Sequence, residues 1–358
     1  MKKLVVTLLA SLLTVGSLAA CSNANQNNVQ SSNAQPSNTP NPQSESSTNL
    51  VGLFIVKKDN TTGDYRGELF PIALHLNGSY VDVSQDVTLE MRDNYAIQNL
   101  VYNHQTKSFL NAIKQFTILD QSKQLGQFAI KQLGVTQFAC SAFLVGQGDF
   151  SGNQTLNALY DAIPEQGRSG SYSGKVGDKQ VDESWRWILA TSQYTAPPAS
   201  KLPTQIDVAK YQQDLLAAAN PLLAQSEKSK AIAGEMVVER SAIYDLNHDG
   251  QPEVFGTIRK GKDPKTTPPE RMQKSTAYIN VWLSYANNKP TVIANQVEAY
   301  EIPVSRQPYE VLAVMDMNRD GIDEVIVRNV GYESFSFGIH ELRNNQLVPV
   351  FNGAGYGC

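Results

Sequence analysis

A strand–loop–strand pattern occurs twice in the C-terminal part of the chain and constrains its fold more than any other feature. Both copies place the sequence D-x-N-x-D-G, followed by Glu at the ninth loop position, between two short apolar segments. The first loop starts at Asp245 and the second at Asp316. The apolar, β-branched flanks indicate strands, and glycine at the sixth position permits a sharp reversal of the backbone. The sequence therefore predicts two related β units.

The side chains of the two loops carry oxygen donors at positions one, three, five and nine. Each loop contributes two aspartates, one asparagine and one glutamate, and a tight turn brings such side chains to one side. This set suits a hard cation such as Ca²⁺ and has little affinity for zinc or copper. The alternative is a polar turn that binds no metal, because D-x-N-x-D-G also forms good turns by itself.

The loops do not follow the EF-hand pattern. An EF-hand has a bidentate glutamate at position twelve and flanking helices, whereas position twelve here is Gly256 in one loop and Val327 in the other. The segment 234–358 resembles instead the calcium hairpins of FG-GAP repeats, as in integrin α-subunit propellers and bacterial VCBS-type proteins. The resemblance implies one or two structural Ca²⁺ ions. The implied side-chain ligands are Asp245, Asn247, Asp249 and Glu253, then Asp316, Asn318, Asp320 and Glu324, with backbone oxygens from Gln251 and Ile322.

The start of the chain has the features of an export signal. Two lysines precede an apolar run, and Leu18-Ala19-Ala20-Cys21 follows with small residues before the cysteine. The apolar run is shorter than the ~20 residues that a membrane span needs. The segment resembles the lipobox of bacterial lipoproteins, which implies cleavage after residue 20 and a membrane anchor through lipid on Cys21. Serine at position 22 resembles the outer-membrane address of Gram-negative lipoproteins.

Composition divides the mature chain into four parts. Residues 21–49 consist almost entirely of Asn, Ser, Gln, Pro, Thr and Ala, and predict a disordered tether. Residues 50–200 predict a β-rich domain, either a small barrel or a sandwich. Residues 201–233 predict a helical linker, and 234–358 a compact two-repeat calcium-loop domain with about four strands per repeat. The predicted fold is mainly β.

Several local features give narrower predictions. Asn77-Gly78 between two apolar runs predicts a two-residue hairpin turn. One or two short helices are expected around 96–113, and 135–145 is interpreted as a single strand, either with a bulge or buried on both faces. The Gly/Ser-rich segment 166–178 predicts a surface loop, and Asn220-Pro221 predicts the end of the linker helix.

Cysteine usage leaves one pairing open. With Cys21 assigned to lipid, Cys140 and Cys358 remain. A disulfide between them suits an oxidising exported compartment, and two unpaired thiols are the alternative.

The sequence contains no motif that predicts catalysis. It has neither a G-x-S-x-G elbow nor an H-E-x-x-H pair, and its four histidines do not form a zinc-type pair. A formal net charge of −4 without basic clusters argues against nucleic acid. The sequence favours a non-catalytic envelope protein that binds a protein or glycan. The alternatives are an envelope hydrolase with its site in 50–200 and a scaffold subunit of an outer-membrane assembly.

Overall fold

A computed structural model provides the architecture of the chain. It describes residues 48–83, 112–120, 123–138, 141–164, 168–176, 179–198, 200–203, 205, 207–227, 229–263, 275–285, 288–299, 309–331 and 334–357. Cys21, Cys140 and Cys358 lie outside these ranges, as does most of the segment 96–113. Among the helices of the described ranges, none combines the length and hydropathy that crossing a bilayer requires.

The N-terminal part forms a closed antiparallel barrel of six strands in the order β1-β2-β6-β5-β4-β8. Pairing of β1 with β8 closes the barrel. Two further strands lie outside this ring, because β3 pairs with β2 and β7 pairs with β8. The barrel confirms one of the two predicted N-terminal architectures. The strands are β1 (Asn49–Asp59), β2 (Tyr65–Leu76), β3 (Ser79–Asp82), β4 (Gln115–Asp120), β5 (Lys123–Phe138), β6 (Ser141–Gly152), β7 (Ser169–Val176) and β8 (Lys179–Thr191).

Apolar side chains fill the barrel, and a short helix, α1 (Leu156–Ala162), packs against its core. Phe54 and Phe128 meet there with ring centroids 5.0 Å apart. Leu159 of α1 is fully buried in the same cluster. Arg186 of β8 donates hydrogen bonds to three carbonyls at the C-terminal end of α1, which satisfies groups that a helix end leaves without partners.

Each C-terminal repeat forms one four-stranded antiparallel sheet, and the helix α2 (Val208–Gln225) precedes them. In both sheets the strands follow one another in sequence order. The first-repeat sheet contains β9 (Met236–Tyr244), β10 (Glu253–Gly261), β11 (Thr276–Ser284) and β12 (Thr291–Ala299). The second-repeat sheet contains β13 (Tyr309–Met315), β14 (Glu324–Gly331), β15 (Ser334–Arg343) and β16 (Gln346–Gly357).

The parts pack in layers: barrel wall, second-repeat sheet, first-repeat sheet and α2. Phe70 of the barrel and Phe337 of the second-repeat sheet share one cluster, with ring centroids 6.1 Å apart. The two sheets meet through Phe255 and Tyr309, at 5.6 Å. Leu215 of α2 packs on the far face of the first-repeat sheet. Residues Ser44–Cys358 therefore form one compact unit.

One local prediction is confirmed and one is wrong. Asn77 and Gly78 connect β2 to β3 with φ angles of 51° and 76°, which is the predicted two-residue turn. The segment 135–145 is not one strand, because β5 ends at Phe138 and β6 begins at Ser141 as its hairpin partner. The broken alternation in this segment marks the change from one strand to the next, rather than a bulge or a strand buried on both faces.

Two further predictions are wrong for reasons of packing. The segment predicted as a surface loop contains β7, and glycine at position 170 makes room for Trp185, since a Cβ there would lie 2.6 Å from the indole. Helix α2 continues through Pro221 to Gln225. Leu223, two residues after the proline, is buried against the first-repeat sheet, and its burial offsets the one hydrogen bond that proline removes.

Candidate cation-binding loops

The two D-x-N-x-D-G segments occupy equivalent places in the two sheets. We name residues 245–253 loop 1 and residues 316–324 loop 2. Each connects the first two strands of its sheet, and its last residue pairs with the strand residue that precedes the loop. The ladders on either side therefore fix where each loop starts and ends.

The loops share one backbone conformation. Position four has a left-handed φ in both, 55° at His248 and 65° at Arg319. Position six follows with 87° at Gly250 and 88° at Gly321. A side chain is strained at such angles, which explains the glycine at position six of both loops.

The loops also share a set of internal hydrogen bonds. The N–H of position six donates to the first aspartate, that of position five to the asparagine, and that of position seven to the second aspartate. The asparagine amide donates to the second aspartate. The loop carboxylates thus accept hydrogen bonds from the backbone of their own loop. These bonds stabilise the turn without a cation.

A buried glutamate closes each loop at position nine. Glu253 and Glu324 are each 1% exposed, and each accepts a hydrogen bond from the N–H at position two, at 2.8 Å from Leu246 and 2.5 Å from Met317. Burial raises the pKa of Glu253 to about 7 and that of Glu324 to about 8, and the neighbouring aspartates add to the rise. Neither glutamate forms an ion pair with a described Lys or Arg side chain. Each carboxyl therefore binds a proton more readily than an ordinary glutamate, and a bound cation would favour its ionised form.

Asp323 lies between the loops. Its backbone N–H donates to the carbonyl of Leu246 at 2.7 Å, and its Oδ2 is 3.5 Å from Nε2 of His248. Burial raises the pKa of Asp323, with a further contribution from Asp316 that the imidazole partly offsets. Its Oδ1 is buried and accepts no hydrogen bond from the described part of the chain. The two loops thus form one connected structure.

Each loop also contacts a segment from outside its sheet. In loop 2, the carbonyl of Met317 accepts a 3.2 Å hydrogen bond from Asn49 of the barrel. In loop 1, Lys201 donates its backbone N–H to Asp245 and its ammonium to the carbonyl of His248. Sequence reasoning missed Asn49, Lys201 and Asp323, because their roles depend on contacts between distant segments.

The donor chemistry of the loops fits a hard cation, whereas the present side-chain positions do not converge. Within the described ranges, no three His, Cys, Asp or Glu side chains come close enough together to hold a metal ion. A cation would have to draw the carboxylates away from the loop N–H groups. The side chains that would hold it are Asp245, Asn247, Asp249 and Glu253 in loop 1, and Asp316, Asn318, Asp320 and Glu324 in loop 2.

Two tryptophans of β8, Trp185 and Trp187, pack against other parts of the fold. The Arg328 guanidinium lies 4.9 Å from the ring centroid of Trp187, where the barrel meets the second-repeat sheet. Trp185 covers Gly170 of the neighbouring strand. These contacts give both tryptophans structural roles.

Comparison with known proteins finds no relative. No family model matches the chain, no curated protein is significantly similar to it, and no solved structure matches its fold. The resemblance to FG-GAP repeats rests on the loops and their flanks and stays a prediction.

Proposed function

We propose that this protein is a lipid-anchored, non-catalytic binding protein of the bacterial envelope whose C-terminal sheets are stabilised by calcium. The export signal directs the chain out of the cytoplasm, lipid on Cys21 anchors it, and the tether separates the folded part from the membrane. The folded part presents a protein or glycan partner with loops that calcium makes rigid.

The observation that carries the calcium proposal is the matched pair of buried carboxyls, Glu253 and Glu324. Buried charges in proteins are paired or bound to metal. When ionised, a glutamate at the same position of two loops, next to two aspartates in each, places negative charge that no described Lys or Arg side chain pairs with at two equivalent points. A divalent cation neutralises it, and millimolar extracellular calcium fills even weak sites.

The layered packing is the reason why bound calcium would stabilise the folded state. Loop 2 contacts the barrel through Asn49, and loop 1 contacts loop 2 through Asp323. Ordering these loops therefore strengthens the contacts among three layers of the fold. A structural role needs no open coordination position and no catalytic group.

Bound calcium is measured by equilibrium dialysis followed by elemental analysis. We use a chain that lacks residues 1–20 and carries Cys21→Ser. One or two calcium ions per chain are expected, with loss of binding in the double variant Asp249→Asn, Asp320→Asn. No bound calcium at millimolar concentration would refute the metal proposal. The address is tested separately, by incorporation of labelled palmitate into the full chain and its loss in Cys21→Ser.

A further inference from the structure

We propose that the two loops bind calcium unequally, and that Lys201 is the residue that makes loop 1 the weaker site. This inference rests on the proposed function, because it concerns how the same loops take the cation. In both loops the side chains must rearrange around the ion, and loop 1 also requires the segment 200–203 to move away.

In both loops the first aspartate accepts backbone hydrogen bonds at both carboxylate oxygens, and the asymmetry lies in where one of the donors comes from. It is Lys201, outside the loop, for Asp245 and Arg319, inside the loop, for Asp316. Lys201 lies directly on loop 1: its backbone N–H is 3.3 Å from Oδ2 of Asp245, and its Nζ is 2.6 Å from the carbonyl oxygen of His248. A Cβ built on Gly250 would lie 3.3 Å from Cβ of Lys201. The linker segment thus touches the first ligand position, the fourth residue and the glycine of loop 1.

Lys201 competes with a cation in two ways. Gly250 donates its N–H to Oδ1 of Asp245, so both carboxylate oxygens of this residue accept backbone hydrogen bonds. A metal must displace the bond from Lys201 or share that oxygen with it. The ammonium also supplies a positive charge at the rim of the loop, where it repels a second cation.

Among the described residues, no segment covers loop 2 as Lys201 covers loop 1. The described hydrogen bonds to the side chain of Asp316 come from inside the loop, from Arg319 and Gly321. A Cβ built on Gly321 would meet no atom of the described residues within 4 Å. The open side of loop 2 is therefore accessible to an ion without movement of another segment.

A separate observation points to a cation at loop 2. Asp323 is 7% exposed. Its Oδ1 is the buried oxygen described above, without a hydrogen-bond donor among the described residues. A buried carboxylate oxygen of this kind is costly unless a positive charge compensates it. His248 of loop 1 lies 3.5 Å from the other oxygen of this carboxylate, and a cation bound in the adjoining loop 2 would supply further positive charge.

Isothermal titration of the same Cys21→Ser chain with CaCl₂ tests the proposal. Two dissociation constants are expected, with loop 1 weaker by about tenfold. Asp320→Asn removes the tighter event and Asp249→Asn the weaker one. Lys201→Gln removes the ammonium and tightens the weaker site about fivefold, whereas Lys201→Pro also removes the backbone N–H and tightens it further.

Lys131→Gln is the matched control, because this lysine is 68% exposed on the barrel. It leaves both constants unchanged. Equal constants in the parent chain, loss of the tighter event in Asp249→Asn, or constants that do not respond to Lys201→Gln would each overturn the inference. Complete absence of calcium binding by the parent chain would instead refute the proposed function. Circular dichroism of each variant verifies that the fold is intact.

Discussion

The backbone N–H of Asp323 donates a 2.7 Å hydrogen bond to the carbonyl of Leu246, which joins loop 2 to loop 1. The N–H of Leu246 is itself bonded to Glu253 at 2.8 Å. Leu246 is therefore bonded both to the carboxyl of Glu253 and to the backbone of Asp323, the residue that precedes Glu324. These bonds connect the buried carboxyl of loop 1 to the backbone of loop 2.

Neutralising a loop glutamate has opposite effects with and without calcium. Glu324→Gln keeps an oxygen that accepts the N–H of Met317 but removes a buried charge. The folded-state pKa of Glu324, about 8, exceeds its ordinary value of 4.5. The contribution of this group to the free energy of unfolding therefore falls as pH rises from 4.5 to 8. At pH 8 in chelator, we expect the variant to raise the free energy of unfolding by about 2 kcal/mol. With calcium it lowers that free energy, because a ligand is lost.

Urea denaturation with and without calcium measures both effects of this substitution. Glu227→Gln is the control, because its side chain is 82% exposed. It changes neither value by more than about 0.5 kcal/mol. A Glu324→Gln chain that is equally destabilised in calcium and in chelator would contradict the account.

His340 makes the protein less stable in mild acid. Burial lowers its pKa to about 4 from an ordinary 6.5, and its Nδ1 is buried without a partner in the described ranges. Between these pH values the unfolded chain binds the proton and the folded chain does not. The contribution of His340 to stability is therefore complete above pH 6.5 and falls as pH is lowered towards 4, by roughly 2 kcal/mol.

Replacing His340 with phenylalanine removes this pH dependence, because no proton can bind at the position. The ring keeps its packing near Tyr309, whose centroid lies 6.3 Å away. Urea denaturation at pH 7.5 and pH 5 compares the two chains. If the loss of stability between these pH values is the same in His340→Phe as in the parent, this role of His340 is refuted.

Asn49 joins the first strand to loop 2. It is 2% exposed, donates to the carbonyl of Met317, and accepts hydrogen bonds from three groups at the end of β8 and just beyond it. Asn49→Ala leaves these buried groups without partners, and we expect a loss of about 3 kcal/mol in the free energy of unfolding. Asn60→Ala, at an exposed position of the barrel, loses less than about 1 kcal/mol. Equal losses in both variants would show that Asn49 has no special role.

The sequence predicted the features that depend on neighbouring residues. The repeated loops, their glycines and the turn at Asn77-Gly78 follow from local backbone preferences, and the mainly β fold follows from short apolar runs between turns. Four strands per repeat also followed, because each repeat shows two strand pairs along the chain.

The sequence did not predict features that depend on distant contacts. Pro221 suggested a helix end, but burial of Leu223 outweighs the local preference. The glycines around Tyr172 suggested a loop, but pairing with β8 makes the segment a strand. The placement of Lys201 over loop 1 also follows from the packed fold, because nothing in its local sequence marks it.

Thermal unfolding of the Cys21→Ser chain, without residues 1–20, tests the central claim most directly. We compare about 1 mM calcium with excess chelator, a concentration that saturates weak extracellular sites. Calcium is expected to raise Tm by about 5 °C, and the double variant Asp249→Asn, Asp320→Asn is expected to show no such rise. Equal Tm values in calcium and in chelator would contradict the claim that these loops hold a stabilising cation.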